Sequence, residues 1–192
     1  PYTLRQLSVM IDERDRVMGH SLGDSYQELS VEARKGRALC QTPYWVTWLL
    51  LDISFDHAYE EWGPHIRMID PACGTGHILV ETLRRAHPRQ QLGLCRSSRD
   101  DSPRLPARTS PLDHIHAALN TVHGVDLDPY AVLVARYRLL ALAVTLLRSA
   151  RHEPTPEEIA ALPLHVAHAD SLLSADEPLL ERDSYHVVVA NP

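Results

Sequence analysis

Lysine is nearly missing from this chain: Lys35 is the only one among 192 residues, and arginine supplies the rest of the basic side chains. That bias looks like the imprint of a GC-rich genome and carries no functional weight. Cysteine is scarce as well. Cys40, Cys73 and Cys95 are odd in number and widely spaced, which argues against a disulfide framework and for a reducing cytoplasm. Twelve histidines are present, yet no HExxH, CxxC or comparable ligand spacing accompanies them, so no metal site is expected. His114 and His116 stand two apart and would not share a helix face. Long apolar runs are also lacking. The most apolar stretch, "LLALAVTLL" at 139–147, is about half of what spans a bilayer. The chain opens on "PYTLRQLSVMIDERDR", charged, without a leader's apolar centre and without an initiator Met. A soluble cytoplasmic protein with no membrane partner is expected, and the chain reads as an excerpt of a longer one. The net charge of -6 argues against a broad nucleic-acid surface within these residues, though not against a local basic loop.

What is present is enough for one compact domain, with 44% apolar residues over 192 positions. The first forty residues read as helices with polar breaks. Leu4, Leu7, Ile11 and Val17 recur at helical spacing up to Gly19, and a second helix is expected over Ser25–Arg37. In "TPYWVTWLLLDISFDHAYEEWG", Thr42 is a candidate N-cap with Pro43 at the first helical position. Val46, Leu49, Leu50 and Ile53 can line one face of this helix.

From residue 66 short apolar runs alternate with helical stretches, the pattern of an α/β domain. Four strands are expected: "IRMID", "TVHGVD", "LHVAHAD" and "YHVVVAN". Each ends in Asp or Asn, and in a parallel sheet ligands bind beyond the carboxyl ends of the strands. A helix is expected from His77 to about Arg85, then a long loop, Pro88–Pro111. That loop holds Arg89, Arg96, Arg99, Arg104 and Arg108 against Asp100 and Asp101, five charges against two, or +3 locally. A helix over "LDHIHAALN" leads into the second strand. "DPYAVLVARYRLLALAVTLLR" reads as a long helix with Asp128 as N-cap and Pro129 behind it. Being apolar around much of its circumference, it is expected to be buried on two sides, between the sheet and the N-terminal helices.

The chemistry sits at the strand ends. In "DPACGTGH", Gly74 and Gly76 let the backbone turn sharply and approach a ligand closely, and the helix from His77 aims free N–H groups into the gap. The dinucleotide fingerprint G-x-G-x-x-G has Leu79 at its third position here, which disfavours that reading. Asp126 in "GVDLDP" can accept from both hydroxyls of a ribose, or simply cap the helix that follows, as Asp128 does. Asp170 in "HADSLL" can accept from an exocyclic amino group, or be a turn residue. Asn191 in "ANP" offers an acceptor and a donor, though Asn-Pro is also a common turn dipeptide.

Taken in order, "DPACGTGH", "GVDLDP", "ADSLL" and a terminal "NP" resemble the motifs of S-adenosylmethionine-dependent methyltransferases acting on adenine N6 in DNA. Asn191–Pro192 is similar to the first half of their NPPY signature, and "CQTP" to the segment that precedes their first motif. The resemblance covers about residues 38 to 192. "TPYWVTWLLLDISFD", "RMIDPACGTGH" and "HGVDLDPYAVLVARYRLL" are most similar to the bacteriophage-exclusion (BREX, phage growth limitation) methyltransferases.

The resemblance implies a Rossmann-like class I methyltransferase fold, with an N-terminal helical segment over 1–37 and the cofactor-binding half over 38–192, cut inside the catalytic loop. S-adenosylmethionine is the implied cofactor. Thr42 would lie near its methionine carboxylate, and Asp70, Ala72, Cys73, Gly74 and Gly76 would line the methionine side. Asp126 would hold the ribose hydroxyls, Leu127 would face the adenine ring, and Asp170, with Ser171 beside it, would accept from the cofactor's amino group. Asn191 and the Pro192 carbonyl would bond the target amino group of a flipped base. Double-stranded DNA and other phage-defence proteins are the implied partners. The rival expectations are methylation of a protein glutamine or an rRNA base, and a non-catalytic cofactor-binding piece.

Overall fold

The computed structural model describes residues 42–92, 110–174 and 176–192. The helices expected within 1–37, and residues 93–109 of the arginine-rich stretch, lie outside the described residues.

The first helix does not bury the face its apolar residues suggest. α1 (Tyr44–Leu51) runs through a π-helical turn (Asp52–Asp56) into α2 (His57–Trp62), which ends at Gly63 with φ 61°. Leu49 and Ile53 are exposed, and the buried stripe is Thr47, Leu51, Phe55 and Tyr59. A spacing of four drifts by about 40° per repeat around a 3.6-residue helix; the wider π turn brings the stripe back toward the core. The Ser54 hydroxyl donates to the Leu50 carbonyl at 2.5 Å, a back-bond that disturbs the regular ladder there. Thr42 is not the N-cap either. Pro43 holds that position with no side-chain cap, and its carbonyl accepts from the Val46 and Thr47 N–H groups.

β1 (Met68–Asp70) leads into α3 (His77–Leu92), which runs past Arg85 with Pro88 inside it. α4 (Pro111–Leu119) begins with a Ser110–Asp113 capping box. β2 (Val122–Asp126) follows, then α5 (Pro129–Ser149), whose N-cap Asp128 accepts from the Tyr130 N–H at 3.0 Å. A short α6 (Pro156–Ala160), capped by Thr155 and Glu158, precedes β3 (His165–His168). A 3₁₀ turn (Pro178–Leu180) then precedes β4 (Val187–Val188). The strands form one parallel sheet in the order β3-β2-β1-β4. This is the Rossmann-like arrangement expected, flanked on its N-terminal side by helices.

Strand order decides which face each connection covers. β1 to β2 and β2 to β3 step in one direction, so right-handed crossovers put α3 and α5 on one face. β3 to β4 steps back across the sheet over the other face. There Tyr185 packs edge-on to His123 at 5.1 Å, and His123 stacks on His165 at 4.7 Å. Burial holds the His123 imidazole down to about 4, with the neighbouring His165 and Arg67 adding to the effect. It therefore packs as a neutral ring.

α5 buries Ala131, Val132, Ala135, Arg138, Leu139, Ala143 and Leu147 and packs against α3, α4, β2 and β3. Leu133 and Tyr137 remain exposed, so burial is less complete than the composition suggests. By length and composition α5 could cross a membrane; in this fold one stripe of it packs into the core.

Gly124 in β2 is a point of close approach in the core. A Cβ there would meet Leu79 Cδ1 at 2.6 Å and Cys73 Sγ at 3.1 Å. Gly124→Val should destabilise the protein by about 1–3 kcal/mol through overpacking. Urea unfolding checks this, and a variant as stable as the parent would show that α3 can move away from β2 without cost.

Candidate functional site

The sheet order reverses between β1 and β4, and in open α/β sheets that switch point is where a crevice opens at the strands' carboxyl ends. Asp70 is the last residue of β1. The chain then turns through Pro71–Gly76 into α3, with Gly74 at φ 52° and Gly76 at φ 82°. Both values lie in the left-handed region that disfavours side chains. Gly76 is also sterically confined, since a Cβ would meet Ala135 Cβ of α5 at 3.0 Å. The turn is held from several sides. Asp70 Oδ1 accepts from the Ala72 N–H at 3.1 Å, and the Cys73 N–H donates to the Val125 carbonyl at 3.0 Å. The buried Arg138 guanidinium donates to the Thr75 carbonyl at 2.7 Å.

Asp126 ties this turn to β2. One carboxylate oxygen accepts from the Gly74 N–H at 2.6 Å and the other from the Asp128 N–H at 2.8 Å. Its backbone carbonyl accepts from the Ala169 N–H at 3.1 Å, which draws in the segment after β3. Leu127, next along, is exposed. Strands β3 and β4 stop earlier than their sequence suggests. Asp170 lies two residues past His168 and Asn191 three past Val188. Asp170 Oδ1 accepts from the Leu172 and Leu173 N–H groups at 2.9 and 3.1 Å, a turn-forming role. Ser171 is half-buried beside it. The Val189 N–H donates to the Ile69 carbonyl at 3.0 Å, so Asn191 and Pro192 leave the sheet beside the end of β1. Asn191 Nδ2 donates to Thr42 Oγ1 at 3.3 Å.

The geometry therefore gathers Ala72, Cys73, Gly74, Gly76, Asp70 and Asp126 at one point, with the Asp170 segment on one flank. Thr42 and Asn191 meet on the other. Two residues of this region carried no usable sequence signal. Arg138 looks like any arginine of an amphipathic helix, and Ala135 like any small core residue. Among the described residues, no group of three His, Cys, Asp or Glu is arranged to hold a metal ion.

Two groups have shifted acidity. Asp70 is fully enclosed; burial pushes its carboxyl up to about 7, against the Ala72 N–H, and the negative charge of Asp126 raises it further. Burial likewise pushes the Cys73 thiol well up, with Asp70 and Asp126 adding to it. Cys73 therefore acts as a small apolar wall, not a nucleophile.

The chain is 37% identical over 161 residues to the adenine-specific methyltransferase PglX of Streptomyces coelicolor, a match covering 80% of this chain and 12% of that protein. It is a distant homologue of that methyltransferase. The chain thus spans 12% of the length of the curated relative it matches. No family model matches it, nor does any solved structure. The sheet order and flanking helices are those of the first four strands of a Rossmann-like class I methyltransferase core.

The Asp70 shift has a pH signature. A carboxyl raised from 3.8 to about 7 in the folded state contributes stability below pH 3.8 that is lost as the pH rises through 7. Three units correspond to at most about 4 kcal/mol. Asp70→Asn should therefore be more stable than the parent at pH 8, by a margin that shrinks toward zero near pH 4. Unfolding free energies across that range check it; His123 is common to both proteins and cancels. A margin independent of pH would mean that Asp70 ionises normally.

Proposed function

We propose that this chain is the cofactor-binding part of an S-adenosylmethionine-dependent methyltransferase that acts on adenine N6 in DNA. Its proposed setting is phage defence or restriction-modification in the cytoplasm, with double-stranded DNA and other defence proteins as partners. The observation that carries this reading is the carboxylate of Asp126 bonded to the glycine turn at Gly74. It unites the two sequence segments that a nucleoside ligand would need, in a chain homologous to an adenine-specific methyltransferase.

The residues suit such a cofactor. Gly74 and Gly76 let the backbone turn sharply beside the crevice through left-handed φ values of 52° and 82°, and each Asp126 oxygen uses one lone pair on the backbone and keeps another for a ribose hydroxyl. Leu127 offers an exposed apolar side chain to the face of an adenine ring. The Asp170 oxygen Oδ1 is occupied by its own turn, which leaves Oδ2 for the ring's amino group. Asp70, Ala72 and Cys73 wall the methionine end, where Thr42 would approach the carboxylate. S-adenosylmethionine, when bound, supplies a methyl group made electrophilic by its sulfonium sulfur. Asn191 Oδ1 and the Pro192 carbonyl would accept from the two hydrogens of the target amino group. That holds its nitrogen lone pair toward the methyl carbon and favours the positive charge that develops on nitrogen.

Asp126→Ala should weaken S-adenosylmethionine binding at least tenfold. A charge-assisted hydrogen bond is worth about 1.5–3 kcal/mol, and about 1.4 kcal/mol is a factor of ten. Calorimetry on the intact protein checks it; unchanged affinity in a folded variant would remove Asp126 from the site. Asn191→Ala should abolish methyl transfer to DNA while leaving cofactor affinity nearly intact. Collapsed affinity with transfer retained would assign Asn191 to the cofactor instead.

A further inference from the structure

We infer that His168 is a positioning residue for Asp126: its ring holds the Leu127–Asp128 peptide group in the orientation from which that peptide's N–H fixes the Asp126 carboxylate. The inference rests on the methyltransferase reading of the site, and it extends the nucleoside side of the crevice to a residue at the end of β3.

His168 is the last residue of β3 and lies opposite Asp126 of β2 in the parallel register. Two hydrogen bonds carry the pairing beyond that point. The Ala169 N–H donates to the Asp126 carbonyl at 3.1 Å, and His168 Nε2 reaches the Leu127 carbonyl at 3.1 Å, across 41 positions of sequence. A carbonyl oxygen only accepts, so Nε2 carries the proton in this contact. The other end of the same peptide group, the Asp128 N–H, donates to Asp126 Oδ1 at 2.8 Å. One peptide plane is therefore pinned at both ends, its oxygen by β3 and its hydrogen by the carboxylate.

A peptide unit is planar, so its C=O and N–H turn together. With the Leu127 carbonyl tied to β3, the Asp128 N–H stays on the carboxylate. With the carbonyl released, the plane can tilt and carry that N–H away. Asp126 would then keep only the Gly74 N–H, at 2.6 Å on its other oxygen, and a carboxylate held through one oxygen can swing about its Cβ–Cγ bond. Two ribose hydroxyls need both oxygens in place. The expected loss therefore falls on cofactor affinity, and it acts through Asp126. The His168 side chain is itself exposed, so shortening it opens no cavity in the core.

His168→Ala removes the donor; His168→Gln keeps one, because its amide nitrogen can take the place of Nε2. Calorimetry with S-adenosylmethionine on the intact protein should show binding about three- to tenfold weaker in His168→Ala, the scale of one neutral hydrogen bond, and within about twofold of the parent in His168→Gln. A double-mutant cycle separates positioning from general support. On an Asp126→Ala background, His168→Ala should weaken binding by less than about twofold further, because its route to the ligand is already gone. The inference is overturned if His168→Ala binds as tightly as the parent, if Gln binds as weakly as Ala, or if His168→Ala no longer folds. It is equally overturned if the loss is as large without Asp126 as with it, which would make His168 an independent support or a direct contact. In each of these outcomes the methyltransferase reading stands, so long as the parent binds S-adenosylmethionine and Asp126→Ala weakens that binding. A parent that binds no S-adenosylmethionine would overturn the methyltransferase reading itself, and the inference with it.

Discussion

The site depends on how closely the turn after β1 lies on its neighbours. Gly124 has no side chain, so Cys73 and Leu79 rest directly on β2; Gly76 has none either, so α5 approaches through Ala135. Those two contacts set the height of the turn above the sheet, and the hydrogen bond from the Gly74 N–H to Asp126 follows from that height. A larger residue at either glycine would lift the turn by a fraction of an ångström, enough to stretch a 2.6 Å bond out of its strong range. Arg138 pulls on the same turn from below, through the Thr75 carbonyl. Backbone packing thus fixes the carboxylate, and the carboxylate in turn orders the loop.

The helix before β1 has a comparable dependence on one side chain. Arg85 collects three carboxylates and an aromatic face, and two of those carboxylates come from the π turn of α1–α2. Asp52 and Asp56 are partly to well exposed, so the ion pairs add modestly to stability. Their effect is geometric: they hold in place the helix whose first residues lead back to Thr42 and, through it, to Asn191.

Much of this was legible in the sequence because it is local. The strand-turn-helix order, the left-handed glycines, the Asp128 cap with Pro129 behind it, and the parallel sheet all follow from short-range rules of sterics and hydrogen bonding. What was not legible is tertiary. The buried face of α1 follows a four-residue spacing rescued by a π turn, so a 3.6-residue reading picks Leu49 and Ile53, which the fold leaves exposed. β3 ends before Asp170 because a turn takes up the Asp170 carbonyl and side chain, and β4 is only two residues long, so Asn191 follows it at a distance. Thr42 read as a cap because it precedes a helix, and only the three-dimensional path of β4 reveals its other partner.

Two carboxylates at neighbouring strand ends repel each other, and the structure handles them differently. Asp70 is enclosed, with one backbone N–H, and its carboxyl is pushed up to about 7, so that it exchanges its proton near neutral pH. Asp126 is half-buried, and each of its oxygens accepts from a backbone N–H group. A proton on Asp70 relieves that repulsion and leaves the two backbone hydrogen bonds of Asp126 in place. A cationic ligand beside Asp70 would stabilise its charged form and drive that proton out, whereas a neutral or anionic one would leave it in place. The two carboxylates thus bias this end of the sheet toward cationic groups.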